Sequence, residues 1–230
     1  MEKDPFIIAG KAYNSRLLVG TGKYSSEKQA LEAIKASNSE IVTVAIRRVE
    51  LDSENKSDSI LNYITPEKYK ILPNTAGCFS AKEAIRIACL GRELLNGENL
   101  IKLEVLKDKE TLMPLMSETV VAAKELVLLG FEVMVYCTDE IDYAINLEDI
   151  GCVAIMPLAS PIGSGQGIIN PDSINKIIEK IKRETQSNYL VIATGGLSNI
   201  FSKDCKAIDV VDEDLTINGL IHIYNINNKK

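Results

Sequence analysis

The sequence predicts an α/β protein of the (β/α)8 TIM-barrel class, incomplete at its C-terminal βα unit. Three observations carry that expectation. Short apolar runs alternate with amphipathic stretches seven times along the 230 residues. The runs are β-branched and nearly continuous, as strands buried on both faces should be. Strands alternating with helices of this length imply a parallel sheet, and so many units favour a closed barrel over an open sheet. Composition does not shift along the chain and no linker interrupts it, so residues 1–230 read as one domain.

The units follow in order. Leu17-Leu18-Val19 ends in Gly20-Thr21-Gly22, and helical spacing follows with Ala30 and Ile34. The run 41–46 is the second strand. Tyr69-Lys70-Ile71-Leu72 leads into Pro73-Asn74-Thr75-Ala76-Gly77. A helix fits over 80–95, with Ser80 as N-cap and Glu83 at the capping-box spacing. A strand over 100–106 precedes a helix over 117–129. Strand 132–136 precedes a helix over 141–150, and strand 152–156 runs into the loop 157–167. The helix 172–182 leads to strand 190–193 and then Gly195-Gly196. After Ser198 the periodicity decays. The stretch 209–214 is acidic, 219–224 reads as an eighth strand, and 225–230 is polar, so no final helix is left to cover that strand. Apolar surface would then stay open, which predicts low solubility or a compensating subunit contact.

Composition excludes several function classes. The chain is 46% hydrophobic and 25% charged with net charge −6, as in ordinary globular proteins. It has no long basic run, so neither nucleic acid nor an anionic membrane is expected as a partner. No apolar stretch reaches the ~18 residues of a membrane span. Met1-Glu2-Lys3-Asp4-Pro5 does not open a signal peptide, which points to the cytoplasm. Heavy use of Ile, Lys and Asn suggests an AT-rich genome; a plastid gene would put the protein in the stroma. The five cysteines form no CxxC pair and are expected to be reduced. The single histidine, His222, rules out a multi-histidine metal site and argues against a Ser-His-Asp triad.

Active sites of such barrels lie at the C-terminal ends of the strands. Polar residues inside a strand are therefore informative, and Lys102 and Glu104 are the clearest case. Alternation puts them on one face and Ile101, Leu103 and Val105 on the other. A lysine facing inward is disfavoured as a cation, and its neutral amine attacks carbonyls. The neighbouring carboxylate can pair with it or move protons for it. A purely structural ion pair is the competing reading. The Gly/Ser loop 157–167, which holds Gly163, can turn backbone N–H groups towards a phosphate, or it is a lid. Gly195-Gly196 lies where the second half of a phosphate cradle would sit. Gly20-Thr21-Gly22-Lys23 fails as a P-loop, because Leu17 and Tyr24 occupy required positions. Cys78 is a reactive thiol or, more in keeping with its apolar surroundings, an inert one. Arg47-Arg48 binds an anion or forms a structural salt bridge.

Several strings, taken together, resemble one family. They are Arg16-Leu17-Leu18-Val19-Gly20-Thr21-Gly22-Lys23-Tyr24, the run 40–48, Leu72-Pro73-Asn74-Thr75-Ala76-Gly77-Cys78, Lys102-Leu103-Glu104-Val105 and Ser160-Pro161-Ile162-Gly163-Ser164-Gly165. In order and spacing they resemble bacterial and plastid thiazole synthase over about residues 5–180. The resemblance implies a homo-oligomeric barrel transferase that makes the thiazole phosphate of thiamine. Its substrates would be 1-deoxy-D-xylulose 5-phosphate, dehydroglycine delivered by a supplying enzyme, and sulfur from a thiocarboxylated carrier protein. Lys102 falls on the family's Schiff-base lysine, Glu104 on an acid/base residue and Gly163 on a substrate-phosphate glycine. No metal or organic cofactor is implied. Beyond about residue 193 the chain departs from the family. Thr194 stands where the family has aspartate, and Ile223-Tyr224 fall at its phosphate-binding Asn-Thr pair. These departures suggest an alternative, an impaired barrel that only binds the carrier or companion subunits.

Overall fold

A hairpin opens the chain in the computed structural model, which describes residues 6–49 and 60–227. The segment Met1–Pro5 used in the leader argument and the last residues of the polar tail lie outside the described residues. β1 (Phe6–Ile8) and β2 (Lys11–Tyr13) pair antiparallel. They turn at Ala9-Gly10, both at positive φ (49° and 73°), as a two-residue hairpin requires.

Six parallel strands then pair in sequence order: β3 (Leu18–Gly20), β4 (Ile41–Ala45), β5 (Lys70–Asn74), β6 (Leu100–Leu103), β7 (Glu132–Cys137) and β8 (Ala154–Pro157). They form one curled sheet. Two more parallel strands, β9 (Ile192–Thr194) and β10 (Val210–Asp212), pair with each other. The helices between strands are α1 (Glu27–Ser37), α2 (Ala81–Leu94), α3 (Met116–Leu128), α4 (Ile141–Ile150), α5 (Pro171–Glu184) and the short α6 (Ser198–Phe201). The cap on α2 forms as expected. Ser80 Oγ accepts from Glu83 N (3.3 Å), and the Glu83 carboxylate accepts from Phe79 N (3.1 Å).

Strand alternation divides the apolar residues between two layers. Ile101, Leu103, Val105, Val133 and Val135 point outward and pack with Ala84, Ala88, Ala123 and Leu126 of α2 and α3. The other parity points inward. Ile41, Leu72, Leu100 and Met134 meet there near the strand starts, and Ile8 of the hairpin packs onto them. The hairpin thus plugs the N-terminal end and leaves the C-terminal end for chemistry.

The C-terminal unit differs from expectation. Residues 219–224 are not a strand; they lie within α7 (Leu215–Asn227). The eighth strand is β10, inside the acidic stretch. A short apolar run does not by itself distinguish strand from helix. Here the Asp212 carboxylate accepts from Asp214 N (3.1 Å) in the turn between β10 and α7. Asn218 N then donates to Asp214 O (2.8 Å). Acidic residues suit that end of a helix. The expectation that no final helix remains is therefore wrong: α7 exists and lies beside α1. Smaller corrections concern the strands predicted at 152 and 190, which start instead at Ala154 and Ile192.

Burial is nonetheless uneven. α5 has no buried residue, and Leu215, Ile217, Leu220 and Ile221 of α7 are exposed. Two truncations test the contrast. Leu103→Ala should cost about 2–5 kcal/mol in urea melts, because Leu103 is wholly buried. Leu220→Ala, on the exposed helix, should change stability by less than about 0.5 kcal/mol.

Candidate active site

The inward parity changes from apolar to polar on moving up the strands. Above Ile41 stands Thr43, above Leu72 stands Asn74, above Leu100 stands Lys102 and above Met134 stands Tyr136. Asn74 is in register with Lys102, and its Nδ2 donates to Thr43 Oγ1 (2.9 Å). Lys102 Nζ lies 2.7 Å from Glu104 Oε1. The side chains are 26% and 16% exposed. The pair is therefore part-buried and not sealed from water. The carboxylate in contact is the group placed to take the amine's proton.

Glu104 is held by its backbone. Thr75 Oγ1 donates to Glu104 O and accepts from Glu104 N, both at 2.8 Å. One hydroxyl at the end of β5 thus fixes the residue just beyond β6. Glu104 also lines a cavity of about 610 Å³ with Arg47, Arg48, Phe79, Lys109, Tyr136 and Ile162 among its walls. Tyr136 donates its hydroxyl to Leu112 O (3.4 Å). Burial, and then the Glu104 charge, hold that phenol above its usual range. Thr75, Asn74 and Tyr136 were not singled out from the sequence, although counting parity from Lys102 would have found the two strand residues.

The glycine loops are placed differently. Gly165, Gly195 and Gly196 line a second cavity of about 490 Å³ with Ser160, Thr194 and Ser198. Gly163 does not line it, whereas Ile162 reaches the first cavity. Glu104 and the glycines Gly165, Gly195 and Gly196 therefore border separate cavities, and residues of the loop 160–167 line both. Gly163, Gly165 and Gly167 all take positive φ (69°, 66° and 72°), as does Gly195 (105°), so side chains there would be strained. Ser198 Oγ is buried without a hydrogen-bond partner among the described residues. Such a hydroxyl is a donor waiting for an acceptor. Among the described residues no group of three or more His, Cys, Asp or Glu is clustered to hold a metal.

A family model, "Thiazole biosynthesis protein ThiG", matches residues 7–193. The chain belongs to the ThiG family. Curated relatives named thiazole synthase share 56% identity over 179 residues (Methylobacillus flagellatus; 78% of this chain, 69% of the relative). The Acinetobacter baylyi relative shares 55% over 182 residues (79% and 70%). Pseudomonas aeruginosa LESB58 contributes one at 53% over 178 residues (77% and 67%). Among solved structures, the Amycolatopsis orientalis BexX/CysO complex contains a chain of like fold. Its TM-score is 0.64 at 23% identity, covering 96% of this chain and 90% of that one. For this ThiG-family chain the matched residues include Lys102, Glu104 and Gly163. They stop one residue short of Thr194 and leave out Gly195 and Gly196.

The cysteines of this family member are free. Burial, with the Glu83 charge adding to it, pushes the Cys78 thiol up. Burial raises Cys137 to about 12, the neighbouring Cys152 contributing, and raises Cys152 to about 11. These thiols should stay protonated at pH 8 and resist iodoacetamide in the native protein. Peptide mapping after brief labelling is expected to show them unmodified until denaturant is added.

Proposed function

We propose that this chain is a thiazole synthase of thiamine biosynthesis, a transferase that builds the thiazole phosphate ring through an imine on Lys102. The observation that carries the reading is the inward-facing Lys102–Glu104 contact at 2.7 Å in a ThiG-family sheet. Glu104 takes the ammonium proton, and Nζ attacks the ketone of 1-deoxy-D-xylulose 5-phosphate. The carbinolamine loses water with a proton returned by Glu104. The resulting iminium draws electrons from the adjacent carbon and acidifies its C–H bond for the rearrangement that precedes sulfur entry.

The phosphate would rest on the glycine loops around Gly163, Gly165, Gly195 and Gly196, with the unpartnered Ser198 hydroxyl as a donor. Dehydroglycine, from its supplying enzyme, and a thiocarboxylated carrier protein provide the remaining ring atoms. Support for a protein partner comes from the BexX/CysO structure, itself a complex of two proteins. The adjacency of α7 and α1 supports a closed eight-unit barrel, and the exposed apolar residues of the last unit suit a homo-oligomer. No described helix is long and apolar enough to cross a membrane; the proposed compartment is the cytoplasm, or the stroma for a plastid gene. The intact lysine–carboxylate pair favours catalysis over a barrel that only binds the carrier.

Borohydride trapping tests the proposal. Incubation with the deoxyketose phosphate and borohydride should leave one reduced sugar adduct, and peptide mapping should locate it on Lys102. No adduct, or one on another lysine, would reject the assignment.

A further inference from the structure

Arg47 and Arg48 leave β4 together in a single helical turn (Ile46–Arg48), yet they act differently. Arg47 Nη1 donates to Gly77 O (2.5 Å) and pairs with Glu83. Its charge is already met. Arg48 has no carboxylate partner among the described residues. It borders two cavities at once. One is the 610 Å³ cavity with Glu104 and Lys109. The other, of about 320 Å³, is lined also by Gly22, Lys23, Thr43 and Asn74. Lys109 likewise forms no ion pair among the described residues. Of the carboxylates lining these two cavities, Glu104 is held by Lys102 and Glu27 has a partner of its own. Two cations unmatched among the described residues, lining one cavity, run against the −6 net charge of the chain. Gly22 adds a geometric sign: a Cβ there would stand 3.2 Å from Arg48 Nη1, so the missing side chain gives the guanidinium its room.

We infer that Arg48, assisted by Lys109, forms a second anion subsite for the carboxylate of a small organic acid that reacts beside Lys102. The inference rests on the reading that this site joins a sugar phosphate to a second component. A guanidinium offers two parallel N–H donors that match a planar carboxylate. The phosphate, by contrast, is assigned to the glycine loops of the 490 Å³ cavity. Anions held in separate cavities would orient both reactants relative to the Lys102–Glu104 pair, whose carboxylate lines the 610 Å³ one.

Isothermal titration with oxalate, a two-carbon dicarboxylate, tests the subsite in the whole chain at low ionic strength. Inorganic phosphate and glycylglycine are titrated in parallel. Wild type should bind oxalate, and Arg48→Gln should weaken that binding by about tenfold or more, losing a charge-assisted pair. Arg48→Lys should lose part of it, because one point charge replaces a fork. Lys109→Gln and Gly22→Ala should each weaken oxalate by about threefold, and phosphate affinity should change less than twofold throughout. A thermal melt on each variant separates misfolding from lost contact. The subsite is overturned if wild type ignores oxalate, or if Arg48→Gln leaves oxalate unchanged or weakens phosphate equally. Tighter, competing binding of glycylglycine would also overturn it, in favour of a peptide terminus. Borohydride trapping keeps the two readings apart. Failure of wild type to trap sugar, with oxalate still dependent on Arg48, sinks the imine chemistry and spares the subsite. Normal trapping with no oxalate effect does the reverse.

Discussion

Lys102→Ala should form no borohydride adduct and lose thiazole synthesis by on the order of 10³-fold or more, as removal of a covalent nucleophile does. The fold should survive. The Lys102 side chain is 26% exposed and among the described residues its polar contact is Glu104, so the apolar layers keep every member. A part-exposed pair of this kind is worth about 0–1 kcal/mol, and the melting temperature should stay within a few degrees. Lys102→Arg should be equally inert, since a guanidinium remains charged and cannot form an imine. Product assay, trapping and a melt on the same preparation distinguish the outcomes. A labelled alanine variant, or one that retains a tenth of the activity, would move the chemistry elsewhere.

Glu104→Gln should lower kcat by about 10²–10⁴-fold, the usual contribution of a positioned acid/base group. The amide keeps the shape and the Thr75 contacts, which involve only the backbone of residue 104. What it loses is a site for the proton that Lys102 must give up. The imine should therefore form slowly, appear on trapping after long incubation, and turn over poorly. KM for the sugar phosphate should move far less than kcat, because the glycine loops proposed to hold the phosphate are untouched. A KM rise with unchanged kcat would mark Glu104 as a binding group instead.

Much of the fold was legible because buried parallel strands write themselves as continuous apolar runs. The run 41–46 and the alternation around Lys102 needed no tertiary information. The chain was misread where local pattern and tertiary context disagree. Leu220 and Ile221, with the β-branched residues beyond them, look like a strand. Yet a turn held by the Asp212 carboxylate leads into a helix just before them, and the true strand hides as Val210-Val211-Asp212 among acids. The opening hairpin was missed because Ala9-Gly10 is a weak turn signal, with Ala9 held at a φ of 49° that alanine rarely adopts. In the site, Lys102 and Glu104 stood out because charge inside a strand is rare. Thr75 did not, because a hydroxyl that grips a neighbouring backbone leaves no periodic mark. Nor does the sequence state that Arg47 is occupied and Arg48 without a carboxylate partner among the described residues, since that depends on where Glu83 and Gly77 lie in space.

The uneven burial along the chain has a consequence for how a ligand would be gripped. Lys102 and Glu104 rise from strands whose outward side chains are wholly enclosed, so the amine belongs to a stiff jaw. Gly195, Gly196 and Ser198 hang on β9 and α6, next to an α5 with no enclosed side chain, and so belong to a compliant one. A phosphosugar anchored to both would draw the compliant jaw towards the stiff one.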